Sequence, residues 1–384
     1  MRCEPIELRS RVSTPFLHQL GSERLPHAVR GFHGFTPLSD AGGAIRTVVL
    51  HLVPNAPIGA YLDIVRALPH ARFLGVVHAP FAELAERALI AHGVARQFEL
   101  VPIQAPELTM WARDAYCPGR DAEGQATLLV PGLPERIGPE ELHDRRVPRP
   151  VAAAVGARIR QSGIYFEGGN IVSDEAATFM GLDVVLDNEG PRGGRAAAPA
   201  KFVVVGCSEA PPPLGHLDMF VTLLGEGEVI VGDSAAAVAV LASLPATRLA
   251  ALERYFRDGE RDWAPFSLAS LILGAAKPTI VGGLDSVARA FETLGYRVYR
   301  MPLLMADVAE DLPVLSYNNV LLERTDQRRV LVPRWGVEEL DAAAEHRWSA
   351  LGWDPCPIDL SSIPDLYGAV RCLTQVLQRE GAGG

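Results

Sequence analysis

From residue 47 onward, short apolar runs alternate with segments in which apolar residues recur every three or four positions. Thr47-Val48-Val49-Leu50-His51-Leu52-Val53 reads as a buried strand, 58–68 as an amphipathic helix, 72–77 as a strand, 80–92 as a helix and 97–103 as a strand. Strands separated by single helices predict an α/β fold. Residues 1–43 are rich in Arg, His, Pro and Gly, lack a period and end on Gly42-Gly43. They read as an N-terminal extension packed on one main domain, 44–384.

Two later stretches share a layout, which makes a weak internal repeat. Residues 219–224 and 228–232 flank Gly225-Glu226-Gly227 as a hairpin, and an Ala-rich helix follows over 235–244. Residues 319–323 and 329–333 flank a polar turn, followed by a helix over 337–351 and a strand over 354–359. Such a unit cannot bury its own sheet face, so it needs neighbours of the same kind.

Composition narrows the function. The chain has 384 residues, 48% hydrophobic and 21% charged, enough for a large core. Its formal net charge of −10 disfavours nucleic acid as a partner and favours a small cationic one. Cys3, Cys117, Cys207, Cys356 and Cys372 form no CxxC pair, so neither a disulfide framework nor a zinc site is indicated, and a cytoplasmic setting fits. The first nineteen residues lack an apolar run of signal-peptide length, and no later segment reaches ~18 uninterrupted apolar residues, so a membrane partner is not expected. Self-association is left open.

Five short segments carry candidate chemistry: Trp111-Ala112-Arg113-Asp114, Glu167-Gly168-Gly169-Asn170, His216-Leu217-Asp218, Tyr317-Asn318-Asn319 and Arg371-Cys372-Leu373-Thr374. Cys372 follows a small-residue turn that reads as leading into a last helix. Beside Arg371 its thiol is expected to ionise readily. His216 and Asp218 alternate around Leu217, which on a strand puts both on one face. Glu167 ends the apolar run 164–166, read as a strand, and two glycines let backbone approach it closely. Trp111 could stack on a planar cation or fill core. Each segment alone has a plainer reading: a structural cysteine, a satisfied histidine, an incidental turn glutamate.

Their order is less casual. An acid, a second acid, His-x-Asp and a lone cysteine near the C-terminus resemble the guanidine-modifying enzymes, which include agmatine, peptidylarginine and arginine deiminases and amidinotransferases. The resemblance spans about 105–377 and looks nearest to agmatine and bacterial peptidylarginine deiminases, through Trp-x-Arg-Asp, Glu-Gly-Gly-Asn and Ser-Tyr-x-Asn. It departs at Arg371, where the usual ending has His before Cys, and in lacking a Trp-Pro-rich opening.

The resemblance implies a five-fold pseudosymmetric α/β propeller, the pentein fold, with a central active site. It implies Cys372 as nucleophile, His216 as proton carrier oriented by Glu167, and Asp114 and Asp218 as the carboxylates gripping a guanidinium. Trp111, Asn319 and Arg113 join them on the substrate-binding side, Arg113 more as a brace and Asn319 toward the substrate or the cysteine loop. No metal and no cofactor are implied. The expected activity is hydrolysis of a guanidino group to a ureido group and ammonia. Amidino transfer, an arginine dihydrolase reaction, or an inactive guanidine-binding protein are the alternatives.

Overall fold

The computed structural model describes residues 17–19, 31–133, 139–181, 183, 184, 188, 202–205, 215–257, 266–306, 312–363 and 367–381. Cys3, Cys207 and much of the segment 1–43 lie outside them.

The described strands form five small sheets built on one motif, an antiparallel pair whose second strand takes a parallel neighbour after a crossover. Cys117–Asp121, Ala126–Val130 and Arg158–Gln161 make one. Ile171–Ser173, Thr178–Gly181 and Phe202–Val205 make another. Val221–Gly225, Glu228–Asp233 and Arg297–Leu304 follow, then Leu321–Arg324, Arg328–Arg334 and Asp354–Asp359. In the remaining sheet the antiparallel partner of Ala44–His51 is the C-terminal strand Thr374–Glu380, with Arg72–His78 and Phe98–Ile103 added in parallel. The antiparallel pair of the unit recognised twice in the sequence, extended by a parallel strand, therefore recurs in all five sheets. One copy is assembled from opposite ends of the chain, and Cys372, just before that pairing, is buried.

Local chemistry explains the best-defined joints. In the hairpin at Gly225↔Glu228, Glu226 and Gly227 both have positive φ, 55° and 74°, as a tight two-residue turn requires. Asp233 then caps the helix Ser234–Ala242 by accepting the Ala236 N–H at 2.8 Å. The helix Pro278–Thr293 begins on a proline, where the missing N–H costs nothing.

The helices Ile58–Ala67 and Glu338–Ala350 and the strand Asp354–Asp359 agree with the sequence reading to within a residue or so. The helix expected over 80–92 divides into a 3-10 turn, Ala79–Phe81, and the helix Ala82–Ala91, because Pro80 breaks the backbone ladder. Short edge strands Leu17–Gln19 and Phe35–Pro37 pair with two of the sheets, so parts of 1–43 are woven into the fold. No helix among the described residues is long and apolar enough to cross a membrane by itself.

Candidate active site

All five segments meet, through backbone groups as well as side chains. The Arg113 N–H donates to the Cys372 carbonyl at 3.2 Å, and the Gly169 N–H donates to Asp114 Oδ1 at 3.0 Å. The 3-10 turn Gly168–Asn170 needs both glycines. A Cβ at Gly168 would sit 2.1 Å from the Arg113 carbonyl oxygen, and one at Gly169 would sit 2.4 Å from His216 Nδ1. The Glu-Gly-Gly signature is thus a pair of close approaches.

Three local expectations are overturned. Residues 164–166 are not a strand. Residues 217–219 form a 3-10 turn, Leu217–Met219, with His216 extended just before it, so no strand face aligns His216 with Asp218. The turn brings them together instead: a His216 nitrogen, an Asp218 oxygen and Cys372 Sγ lie within 4.8 Å of one another. Among the described residues this trio is also the one grouping with the donor types and spacing of a metal site. Finally, Cys372 leads into a strand, Thr374–Glu380, and not a helix, because residues 374–380 pair with Ala44–His51. Among the described residues no helix begins at Cys372.

His216 is held between carboxylates. Its Nε2 lies 2.6 Å from Glu167 Oε2, its Nδ1 lies 3.8 Å from Asp114 Oδ1, and the Tyr165 hydroxyl donates to Glu167 Oε1 at 2.7 Å. Burial opposes the imidazolium, but Asp114, Cys372 and Glu167 outweigh it and raise the His216 pKa well above the ordinary value. Burial would likewise raise Glu167, yet the hydrogen bonds from His216 and Tyr165 bring it down to about 2. The two make a charged pair.

Cys372 is only 2% exposed, and its Sγ is 4.0 and 3.9 Å from the two Asp218 oxygens. Asn319 organises the loop: Oδ1 accepts the backbone N–H groups of Arg371 (2.9 Å) and Cys372 (3.1 Å), and Nδ2 approaches Sγ at 3.1 Å. Asn319 is fully buried among these contacts with the cysteine loop. The expectation of a readily ionised thiol fails. Burial pushes Cys372 up to about 12, Asp218 adds to this and His216 pulls the other way. Arg371 gives little relief because its charge is committed, to Asp218 Oδ2 at 2.5 Å and to Asp40 at 2.9 Å. Burial also pushes Asp218 up to about 7 and Asp114 up to about 6.

Arg113 is a brace. Its guanidinium donates to Gln375 Oε1 (2.7 Å), the Gly168 carbonyl (3.3 Å), the Ile171 carbonyl (3.4 Å) and Asp40 Oδ1 (3.3 Å), all inside the protein. The half-buried Trp111 packs on both main core clusters and against Gly368, where a Cβ would meet its ring at 2.5 Å. Asn170 accepts the Leu217 N–H at 3.2 Å and so supports the His216 turn. Asp341 is buried and accepts from the Tyr317 hydroxyl and the Trp335 and Gly336 N–H groups, anchoring the Ser-Tyr-Asn-Asn turn. Cys117 is buried near Arg113, with a thiol pushed up to about 12 by burial. Sequence reading missed Asp40 and the partners of Arg371 altogether. Gln375 and Tyr165, each within three residues of a named motif, were within its reach.

Solved structures share this architecture. The chain superposes on a crystal structure titled a putative peptidyl-arginine deiminase with a TM-score of 0.59 at 14% identity, over 91% of this chain and 99% of that one. A putative agmatine deiminase gives 0.58 at 14% identity, over 92% and 98%. The fold is that of the guanidine-modifying enzymes. The agmatine deiminase of Enterococcus faecalis, captured catalysing its reaction, gives 0.54 at 14% identity over 92% and 98%. No family model matches the chain, and no curated protein matches it by sequence. At such low identity the likeness concerns the pentein fold, and the chemistry rests on the residues above.

Proposed function

We propose that the chain is a cysteine-dependent hydrolase of a guanidino group, giving a ureido product and ammonia. One observation carries this reading: a thiol, an imidazole and a carboxylate lie within 4.8 Å of one another, with Asp114 Oδ1 3.8 Å from Nδ1 of the same imidazole. A planar cation between Asp114 and Asp218 would meet a carboxylate on each side. Its positive charge would favour the ionised forms of both acids and of the Cys372 thiol, so the nucleophile is switched on by the substrate it attacks.

The sequence of events starts from the Cys372 thiolate, whose proton passes to solvent as the substrate cation binds. Sγ bonds to the central carbon, protonated His216 gives its proton to one nitrogen, and ammonia leaves as the C–N bond breaks. A thiouronium ester remains on Cys372. Water, deprotonated by the now neutral His216, adds to the same carbon, the C–S bond breaks to restore the thiolate, and the protonated ureido product gives up one proton, which the released ammonia takes up as ammonium.

An amine could take the place of water, which would make the enzyme an amidinotransferase. The choice is tested by incubation with a panel of guanidines, including agmatine, free arginine and a peptidylarginine, while ammonia, ureido product, urea and amidino transfer are scored together. Ammonia matched by ureido product without an added amine supports the hydrolase. Product only with an amine acceptor replaces it with transfer, ornithine with two ammonias per arginine replaces it with a dihydrolase, and activity lost to EDTA and restored by metal overturns the thiol mechanism.

A further inference from the structure

Asp40 takes no part in these steps. It precedes the strand Ala44–His51, in the segment read as an extension, and its N–H donates to the Ser173 carbonyl at 2.7 Å. Its Oδ2 accepts the Ser173 N–H at 3.0 Å and Arg371 Nη2 at 2.9 Å. Its Oδ1 accepts Arg371 Nη2 at 3.0 Å, Arg371 Nε at 3.3 Å and Arg113 Nη2 at 3.3 Å. Arg371 therefore offers its Nε–Nη2 edge to Asp40. Only Nη1 remains for Asp218, at 2.5 Å, while Nη2 also reaches the Ile171 carbonyl at 2.9 Å.

Guanidinium groups prefer to take both oxygens of a carboxylate through one edge. Asp218 is the other carboxylate that Arg371 contacts, and without Asp40 a second hydrogen bond to it would spend the oxygens that a substrate must find. We propose that Asp40 is a positioning residue: by occupying that edge it restricts Arg371 to a single hydrogen bond on Asp218 and keeps this carboxylate open to a guanidinium beside Cys372.

This inference rests on the proposed function, and its test separates the two. Alkylation of Cys372 in the full-length chain is followed by mass spectrometry with 2-chloroacetamidine, a cation, and with 2-chloroacetamide, a neutral reagent of the same size. Wild-type protein should prefer the amidine by about 100-fold, the worth of a charge-assisted clamp. Asp40→Asn should cut the preference at least about tenfold while changing the amide rate less than about threefold, and Asp40→Glu, which keeps the charge, should restore most of it. Damage that is merely structural shifts both rates together and leaves their ratio alone.

An Asp40→Asn ratio within about twofold of wild type overturns the inference, whereas a wild type without amidine preference overturns the guanidine reading itself. Should Asp40→Asn fail to fold, the double variant Asp40→Asn/Arg371→Gln removes both charges of the pair. With the Arg371 guanidinium gone nothing can turn onto Asp218, so the amidine preference should be kept, and a ratio at least about tenfold below wild type counts against the proposal.

Discussion

The two halves of the site are built differently. Around His216 the side chains are polar and reach solvent: Glu167 is 33% exposed, and His216 and Asp114 are each 19% exposed. Around Cys372 they are sealed, with Asp218 at 1%, Arg371 at 5% and Asn319 at 0%. Proton traffic needs solvent, so an acid/base pair belongs in the first setting. A carboxylate that must hold a cation gains most in the second, where little water competes, at the cost of other buried charges to keep it in place. Cys372, the proposed nucleophile, sits on the sealed side, where burial raises its proton affinity.

The comparison breaks most simply at Cys372. Cys372→Ala should lower turnover of any accepted guanidine by at least about 10⁴-fold with the circular dichroism spectrum unchanged. A haloacetamidine should label Cys372 ahead of Cys117 and Cys356 in a peptide map; equal labelling would remove Cys372 from its role.

The aspartates sharpen it. Asp114→Asn should cost about 2–4 kcal/mol in kcat/KM, roughly 30- to 1,000-fold, with little change in Tm. Asp218→Asn should cost a similar factor and also destabilise the fold by about 3–5 kcal/mol, because Arg371 loses a buried partner. Thermal scans of the two variants showing equal Tm losses would erase the distinction between the open and sealed halves.

Gly169→Ala tests the open half without touching a charge. Its Cβ would fall 2.4 Å from His216 Nδ1, so the ring must leave Glu167. A loss of about 10- to 100-fold in kcat, with KM within about threefold, is expected from steady-state kinetics. Unchanged kcat would show that the His216–Glu167 geometry is dispensable.

The smallest effect is on stability against pH. Glu167 is held at about 2 and His216 well above its usual range. The unfolded values are about 4.3 and 6.5, so the Glu167 contribution is present above about 4.3 and lost as pH falls toward 2. The His216 contribution is present below about 6.5 and lost as pH rises through its folded value. Differential Tm between wild type and His216→Asn should thus be largest between about pH 4.3 and 6.5. A difference that does not vary with pH would refute the ion pair.

How legible was all this? The alternation after residue 47, the hairpin around Gly225 and the capping aspartate before Ser234 are local signals, and they survive folding because propensity and turn chemistry act within a few residues. Asp114, Glu167, His216, Asp218, Asn319 and Cys372 were all named from motifs, and they do converge. Their secondary structure was misread at 164–166, 216–218 and after Cys372. Each is a short segment shaped by its contacts and not by period: Gly168 and Gly169 against Arg113 and His216, and 374–380 against Ala44–His51. Asp40 gave no signal, since its partner Arg371 lies 331 residues away and nothing near Asp40 marks it.

By itself, then, the amino-acid order determined which side chains are available, in what succession, and the hairpin-helix-strand unit that carries them, because these follow from residue type and nearest neighbours. The tertiary structure alone decided what state those side chains are in. The proton affinity of Cys372, Asp218 and His216 depends on which charges share their burial, and the strongest of these come from other segments, Asp114 for His216 and Asp218 for Cys372.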